Sequence, residues 1–256
     1  MSTRADTTTA IATSTTDDVF IRGESLCQGL VGHVTFTEMI VFQMLGWRPT
    51  PAQTRLVDAC LVTLMEHGMT PSALAARLVY GSAPEALQAG VAAGLLAVGS
   101  RFAGTTEAAG ALLARLVAAG STEAEADTIV AEHRARKEPV PGFGHPQHKP
   151  DDPRAIRLVE LARADGVAGA HVEALIALAR AVDRAAGKHI TINATGAIAA
   201  VLADLGVPAS ILRGFALIAR AAGLVGHLHE EQRRPAMRAI WEAGDRAVPY
   251  DGEPVG

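Results

Sequence analysis

The chain has 256 residues, 23 basic against 27 acidic side chains, 4% aromatic residues and two cysteines. Charge this balanced, with no basic stripe interleaved with aromatics, argues against a nucleic-acid partner. Cys27 and Cys60 lack CxxC spacing, which excludes a disulfide framework and a cysteine-based zinc site and fits a reducing compartment, so the cytoplasm is the expected address.

From the N-terminus, residues 1–16 are rich in Ser, Thr and Ala, lack the apolar core of a signal peptide, and read as a mobile tail. Residues 17–33 read as an ordered lead-in. Apolar spacing then predicts helices over 35–45 and 52–66. Gly68 is a C-terminal stop, and Thr70-Pro71 supplies a cap and a first-turn proline for a helix over 72–79, so His67 falls between a helix end and a helix start. Residues 85–98 are almost entirely small and apolar, the mark of a helix surrounded on most sides. After a break at 99–106 come a helical pair over 107–119 and 122–137, the second opened by a capping-box pattern of Thr122 with Glu125. Amphipathic helices follow over 154–164 and 170–185, then an extended, β-branched HITIN (189–193), an apolar helix over 195–205 and a long helix over 210–231. Residues 233–256 read as a tail. No uncharged apolar run reaches the ~18 residues of a membrane span, so no membrane is expected. A mean hydropathy of +0.20 then reflects an alanine-rich, all-α protein with a large subunit interface.

The chemistry concentrates in PVPGFGHPQHKPDDPR (139–154). Gly142 and Gly144 leave the backbone bare ahead of His145, so peptide N–H groups there are free to approach an anionic or carbonyl-bearing ligand. Asp151-Asp152-Pro153 spells a helix start, whose dipole attracts anions. Asp152 is therefore a helix cap with a depressed pKa rather than a general acid. His145, His148, Asp151 and Asp152 offer metal-ligand types, but proline stiffening argues against a metal. Arg220 is flanked by small and apolar residues; a guanidinium there must meet an anion, either a structural partner or a substrate carboxylate.

Five collinear stretches resemble the citrate synthase superfamily over nearly the whole chain from about residue 20: EHGMTPSALAAR (66–77), GSRFAGTTEAA (99–109), PGFGHPQHKPDDPR (141–154), INATGAIAAVLADLG (192–206) and ALIARAAGLVGHLHEEQRRP (216–235). GSRFAGTTEAA is most similar to citryl-CoA lyases, including the lyase module of ATP-citrate lyase. The resemblance implies a large helical domain (17–103 and 207–256) with a smaller one inserted (104–206), in a homodimer or higher homo-oligomer with shared active sites. It implies a retro-Claisen cleavage of a citryl-CoA-type thioester to acetyl-CoA and a 2-oxo acid. No cofactor is implied beyond the coenzyme A of the substrate.

Residue by residue, His67, Arg154 and Arg220 match the groups that grip the oxo acid, and Arg233 or Arg234 an arginine given across the interface. Gly142, Phe143, Gly144 and Lys149 match the coenzyme A site. His145 matches the histidine at the carbinol oxygen, a base in cleavage. Phe102 stands where synthases have a histidine, as in the lyases. Thr195 stands where both have a proton-exchanging aspartate, and a hydroxyl cannot act as that base. Pro146 replaces an arginine of the lyases, which implies a substrate with one fewer carboxylate. The alternatives are a citrate or methylcitrate synthase, and a coenzyme A thioester-binding protein without catalysis.

Overall fold

A computed structural model of the chain describes residues 7–99 and 105–253. It divides into two compact units, Met1–Asp58 and Ala59–Gly256, the division falling inside helix α2 (Pro51–Met65).

The first unit opens on a three-stranded antiparallel sheet, β1 (Ala12–Ser14), β2 (Val19–Ile21) and β3 (Glu24–Ser25), in that order. Within the expected tail over 1–16 this corrects only Ala12–Ser14, which pairs in register with Val19–Ile21; residues 1–6 of that tail lie outside the described residues. Its threonine-rich, β-prone stretch is ordered by a partner strand too short to show a pattern of its own. Arg22 (φ 48°) and Gly23 (φ 86°) close the β2–β3 hairpin with the paired positive φ of a type I′ turn. One turn of π-helix (Leu26–Leu30) leads to α1 (Phe36–Leu45), which starts on a reciprocal capping box between Thr35 and Glu38. At its other end Gly46 is left-handed, and the Arg22 guanidinium donates to Gln43 O at 2.9 and 3.1 Å, placing positive charge on the last carbonyls.

The second unit is helical: α3 (Pro71–Ser82), α4 (Leu87–Leu96), α5 (Thr105–Ala118), α6 (Glu123–Ala135), α7 (Pro153–Ala164), α8 (Ala170–Ala186), α9 (Ala194–Asp204), α10 (Leu212–Arg233) and α11 (Met237–Ala247). The all-α expectation holds, with the small sheet as the addition. α9 is buried from Gly196 to Leu202 without a break, because α5, α7 and α8 pack around it; its lack of a polar face is the sequence record of that position.

With the 3₁₀ turn Ala209–Ile211 before it, α10 is long and apolar enough by composition to cross a membrane. Its buried stripe of Leu212, Phe215, Ala216, Ala219, Arg220, Leu224, Leu228 and Glu231 recurs at helical spacing, and the helix packs on α3, α4 and α5. One face of the helix is thus buried within the helical unit.

Two local expectations are revised. At α6, Thr122 caps the N–H of Glu125 at 3.2 Å, but the Glu125 carboxylate pairs with Arg115 instead of closing the box. Beyond Arg233 the expected tail is α11, whose start is fixed by Glu231 Oε1 accepting from Ala236 N and Met237 N at 2.6 and 2.8 Å. That cap comes from the preceding helix and leaves no local N-terminal signature.

Candidate active site

The loop before α7 is laced to the HITIN segment, which is extended as expected. Gly144 N donates to Thr191 O at 2.7 Å, Asn193 N to Gly142 O at 3.0 Å and Asn193 Nδ2 to Gly144 O at 3.0 Å. Phe143 and Ile192 form a single antiparallel bridge. Gly142 (φ 92°) lies against Gly196 of α9, where an added Cβ would meet Gly142 O at 2.6 Å. Gly196→Ala, despite the helix propensity gained, should destabilise the fold by about 1–3 kcal/mol through overpacking against backbone; a urea midpoint equal to wild type would contradict this contact. The N–H groups of Phe143 and Gly144 donate to Val140 O and Thr191 O. The expectation that peptide donors here face a ligand is therefore corrected for these two.

Asp152 caps α7, as its sequence position implies, and does more. Its Oδ1 accepts from Arg154 N and Nε, both at 3.0 Å, and its Oδ2 from Arg154 Nη2 at 2.8 Å and Ala194 N at 3.1 Å. Burial pushes this carboxyl up, but the Arg154 guanidinium and the peptide donors outweigh burial and hold it below the usual carboxylate range. His145, His148 and Asp152 offer ligand atoms within 4.8 Å of one another. With four donors on its two oxygens, Asp152 has no lone pair left to give a metal.

Asp152 aims Arg154 at two imidazoles. Arg154 Nη1 lies 3.4 Å from His67 Nδ1, and Nη2 lies 3.3 Å from His145 Nε2. His145 stacks on His148 with ring centroids 4.3 Å apart and meets His67 edge-on at 5.7 Å. His145 Nδ1 accepts from Gln147 N at 3.1 Å and His148 N at 3.0 Å. In the neutral ring the proton is therefore on Nε2. Arg154 Nη2 and His145 Nε2 are then two donors face to face, and an anionic oxygen between them satisfies both. Burial, followed by the His148 and Arg154 charges, depresses the pKa of His145; burial and then Arg154 do the same for His67.

These groups open on a cavity of about 350 Å³. Its lining brings together His67, His145, Arg154, Thr195 and Arg220 of the expected site, together with Pro146, Asn193, Thr70 and Ser72. Leu64, Pro71, Ala97, Val98 and Ala216 supply the apolar wall, and no carboxylate lines it among the described residues. Arg220 is buried, burial pushes its pKa down, and its Nη1 makes no hydrogen bond among the described residues, with Glu66 Oε2 3.7 Å away. Thr195 Oγ1 donates to Asn193 Oδ1 at 2.6 Å and accepts from Thr105 Oγ1 at 3.2 Å, so its proton is committed within the protein.

Other expected residues stand apart. Gly142, Phe143, Gly144 and the exposed Lys149 do not line this cavity, and neither does the exposed Arg233 at the end of α10. Phe102 lies outside the described residues. Asn193 and Thr105 escaped the sequence reading, although Asn193 announces itself as the N-cap of α9, accepting from Gly196 N at 3.1 Å.

The fold and the site thus define a helical protein with a cavity lined by two imidazoles and two guanidiniums. Residues 22–241 match the family model "Citrate synthase, C-terminal domain", and the chain belongs to the citrate synthase family. Among solved structures it is similar to the citryl-CoA lyase of Hydrogenobacter thermophilus, with 34% identity and a TM-score of 0.87 over 98% of this chain and 97% of that one. ATP citrate lyase of Methanothrix soehngenii, solved with citrate and coenzyme A, shares the fold at 18% identity and a TM-score of 0.82, over 99% of this chain and 43% of that one. A citrate synthase of Synechocystis sp. is 30% identical over 202 residues, 77% of this chain and 49% of that protein. The chain spans about half the length of the curated citrate synthases it matches.

Proposed function

We propose that the protein cleaves a citryl-CoA-type 3-hydroxyacyl-CoA thioester to acetyl-CoA and a 2-oxo acid such as oxaloacetate by a retro-Claisen step. The observation that carries this is one cavity lined by two guanidiniums, Arg154 and the buried Arg220, together with the imidazoles of His67 and His145. An end-to-end likeness to a citryl-CoA lyase supports it. Arg220, Arg154 and His67 grip the carboxylates of the oxo-acid part.

His145 meets the carbinol oxygen. Two peptide donors on Nδ1 make the ring an Nε2–H donor, so it stabilises the alkoxide rather than taking the proton, which passes to hydroxide from solvent to give water. The alkoxide electrons form the carbonyl, the C–C bond breaks, and its pair becomes the thioester enolate. The enolate carbon takes a proton from water, giving acetyl-CoA, and the oxo acid leaves. Closure of a small lobe over the pocket would shield the enolate.

Condensation is the second reading, and one observation counts against it. Taking a proton from the acetyl-CoA methyl needs a base, and the described lining holds no carboxylate; protonating an enolate needs none. The direct test is formation of acetyl-CoA and oxaloacetate in equal amounts from citryl-CoA, with the reverse mixture as control. Citrate formed in the reverse assay and no cleavage would reverse the assignment. Pro146 in the lining supports including substrates with one fewer carboxylate.

The reaction requires no cofactor beyond the coenzyme A of the substrate, and the setting we propose is a reducing cytoplasm. A homo-oligomer is supported by α11, which buries none of its residues and exposes Trp241, with Val248 and Tyr250 exposed just beyond it; Arg233 or Arg234 would be given to a neighbouring site, and Gly142, Phe143, Gly144 and Lys149 would lie on the coenzyme A path.

The pH dependence follows from the neutral imidazoles. Protonating His145 puts a proton on Nδ1 against two peptide N–H donors, so the charged ring is incompatible with the loop. Its pKa lies below the ordinary 6.5. Cleavage should therefore fall with pH only in proportion to hydroxide from about 8 to about 6.5, and lose the neutral imidazole's contribution only below that. An acid limb in kcat/KM with its midpoint above 6.5 would contradict the assignment.

A further inference from the structure

The sequence places Glu66 immediately before His67 and His227 two turns after Arg220, and the fold joins all four. Glu66 Oε1 accepts the peptide N–H of His67 at 2.8 Å and of Gly68 at 2.6 Å, fixing the turn between α2 and α3 that presents His67. Glu66 Oε2 lies 2.9 Å from His227 Nε2 and 3.7 Å from Arg220 Nη1. His227 Nδ1 accepts from Arg77 Nε at 3.1 Å, so the proton of its neutral ring is on Nε2, which lies in close polar contact with Glu66 without the alignment of a hydrogen bond. Arg77, whose side chain is 3% exposed, continues to Glu231 at 2.8 Å and to Glu230. Glu231 in turn caps the start of α11. α10 approaches so closely that a Cβ at Gly223 would meet Met65 O at 2.1 Å and Glu66 Oε2 at 3.3 Å.

We infer that Glu66 and His227 are a positioning pair that holds His67 and Arg220 in their binding geometry, with Arg77 and the α10–α11 junction as the anchor. Neither Glu66 nor His227 lines the cavity; both act through residues that do. Glu66 offers one oxygen to each gripping residue, so it correlates their positions. His227 accepts from Arg77 on one side and lies against the Glu66 carboxylate on the other, and glutamine can offer a polar atom to each where leucine cannot. The inference rests on the reading that His67 and Arg220 grip the oxo-acid end of the substrate.

Two measurements test it. With citryl-CoA, Glu66→Gln and His227→Leu should each raise KM about tenfold with kcat within about threefold, the mark of lost binding common to ground and transition states, while His227→Gln stays near wild type. A purely structural role would lower thermal stability and active fraction without that split or that rescue. In the ligand-free protein, Glu66→Gln should shift the side-chain NMR resonances of His67 and Arg220 and leave those of surface His189 in place. Unchanged His67 and Arg220 resonances overturn the inference. Wild-type protein that releases no acetyl-CoA would sink the lyase reading instead, and the NMR comparison would still decide this one.

Discussion

Replacing Arg220 with methionine should abolish most of the activity and make the protein more stable. The guanidinium is buried, and Nη1 has no hydrogen-bond partner among the described residues. An unsatisfied buried donor on a charged group carries its full desolvation penalty, so an apolar side chain of similar length should raise stability by about 1–3 kcal/mol. The same change removes the charge that meets the substrate carboxylate. Truncating one partner of such a pair costs about 2–5 kcal/mol, roughly a 30- to 5,000-fold loss in kcat/KM. Melting temperature and kcat/KM measured on one preparation check both signs. A variant that loses stability as well as activity would mean that the 3.7 Å ion-pair contact with Glu66 outweighs the cost of burying the guanidinium.

Thr195→Asp should move activity the other way. Thr195 is the second residue of α9, just inside the Asn193 cap, and lines the cavity. Its hydroxyl proton is committed to Asn193, so the present side chain neither gives nor takes the proton at the enolate carbon. A carboxylate cycling through its acid form can deliver that proton, and positioned proton transfer contributes about 10²–10⁴-fold. The variant should cleave citryl-CoA at least about 10²-fold faster. It should also exchange the acetyl-CoA methyl protons with deuterated solvent. Neither effect would mean that Thr195 does not face the reacting carbon.

Much of the helical scaffold was legible because each element carries its own local signal. Thr70-Pro71 and Asp152-Pro153 mark helices that the structure starts at Pro71 and Pro153, one residue before the expected 72 and 154 and, at Thr70, without a side-chain cap bond; the unbroken apolar run of α9 states that helices pack on it all round. What escaped depends on distant partners. α11 starts on Glu231 of the preceding helix, and β1 is ordered only by β2, so neither has a local signature. In the site, the sequence supplied the residue types, and collinear resemblance grouped His67, His145, Arg154, Thr195 and Arg220, which one cavity unites. Their states were not legible. The tautomer of His145 is set by backbone donors, and the aim of Arg154 by a carboxylate two residues away whose helix-capping role hides its second use.

The retro-Claisen assignment is tested most directly by a single-turnover experiment with citryl-CoA and enzyme in excess, comparing wild type with His145→Ala and following acetyl-CoA and oxaloacetate together. The account predicts equal amounts of the two products from wild type, and a rate lower by about 10²- to 10³-fold in the variant, the loss expected on removing one donor to a developing oxyanion. Citryl-CoA that binds wild type and is recovered intact, or cleavage equally fast without the imidazole, would contradict it.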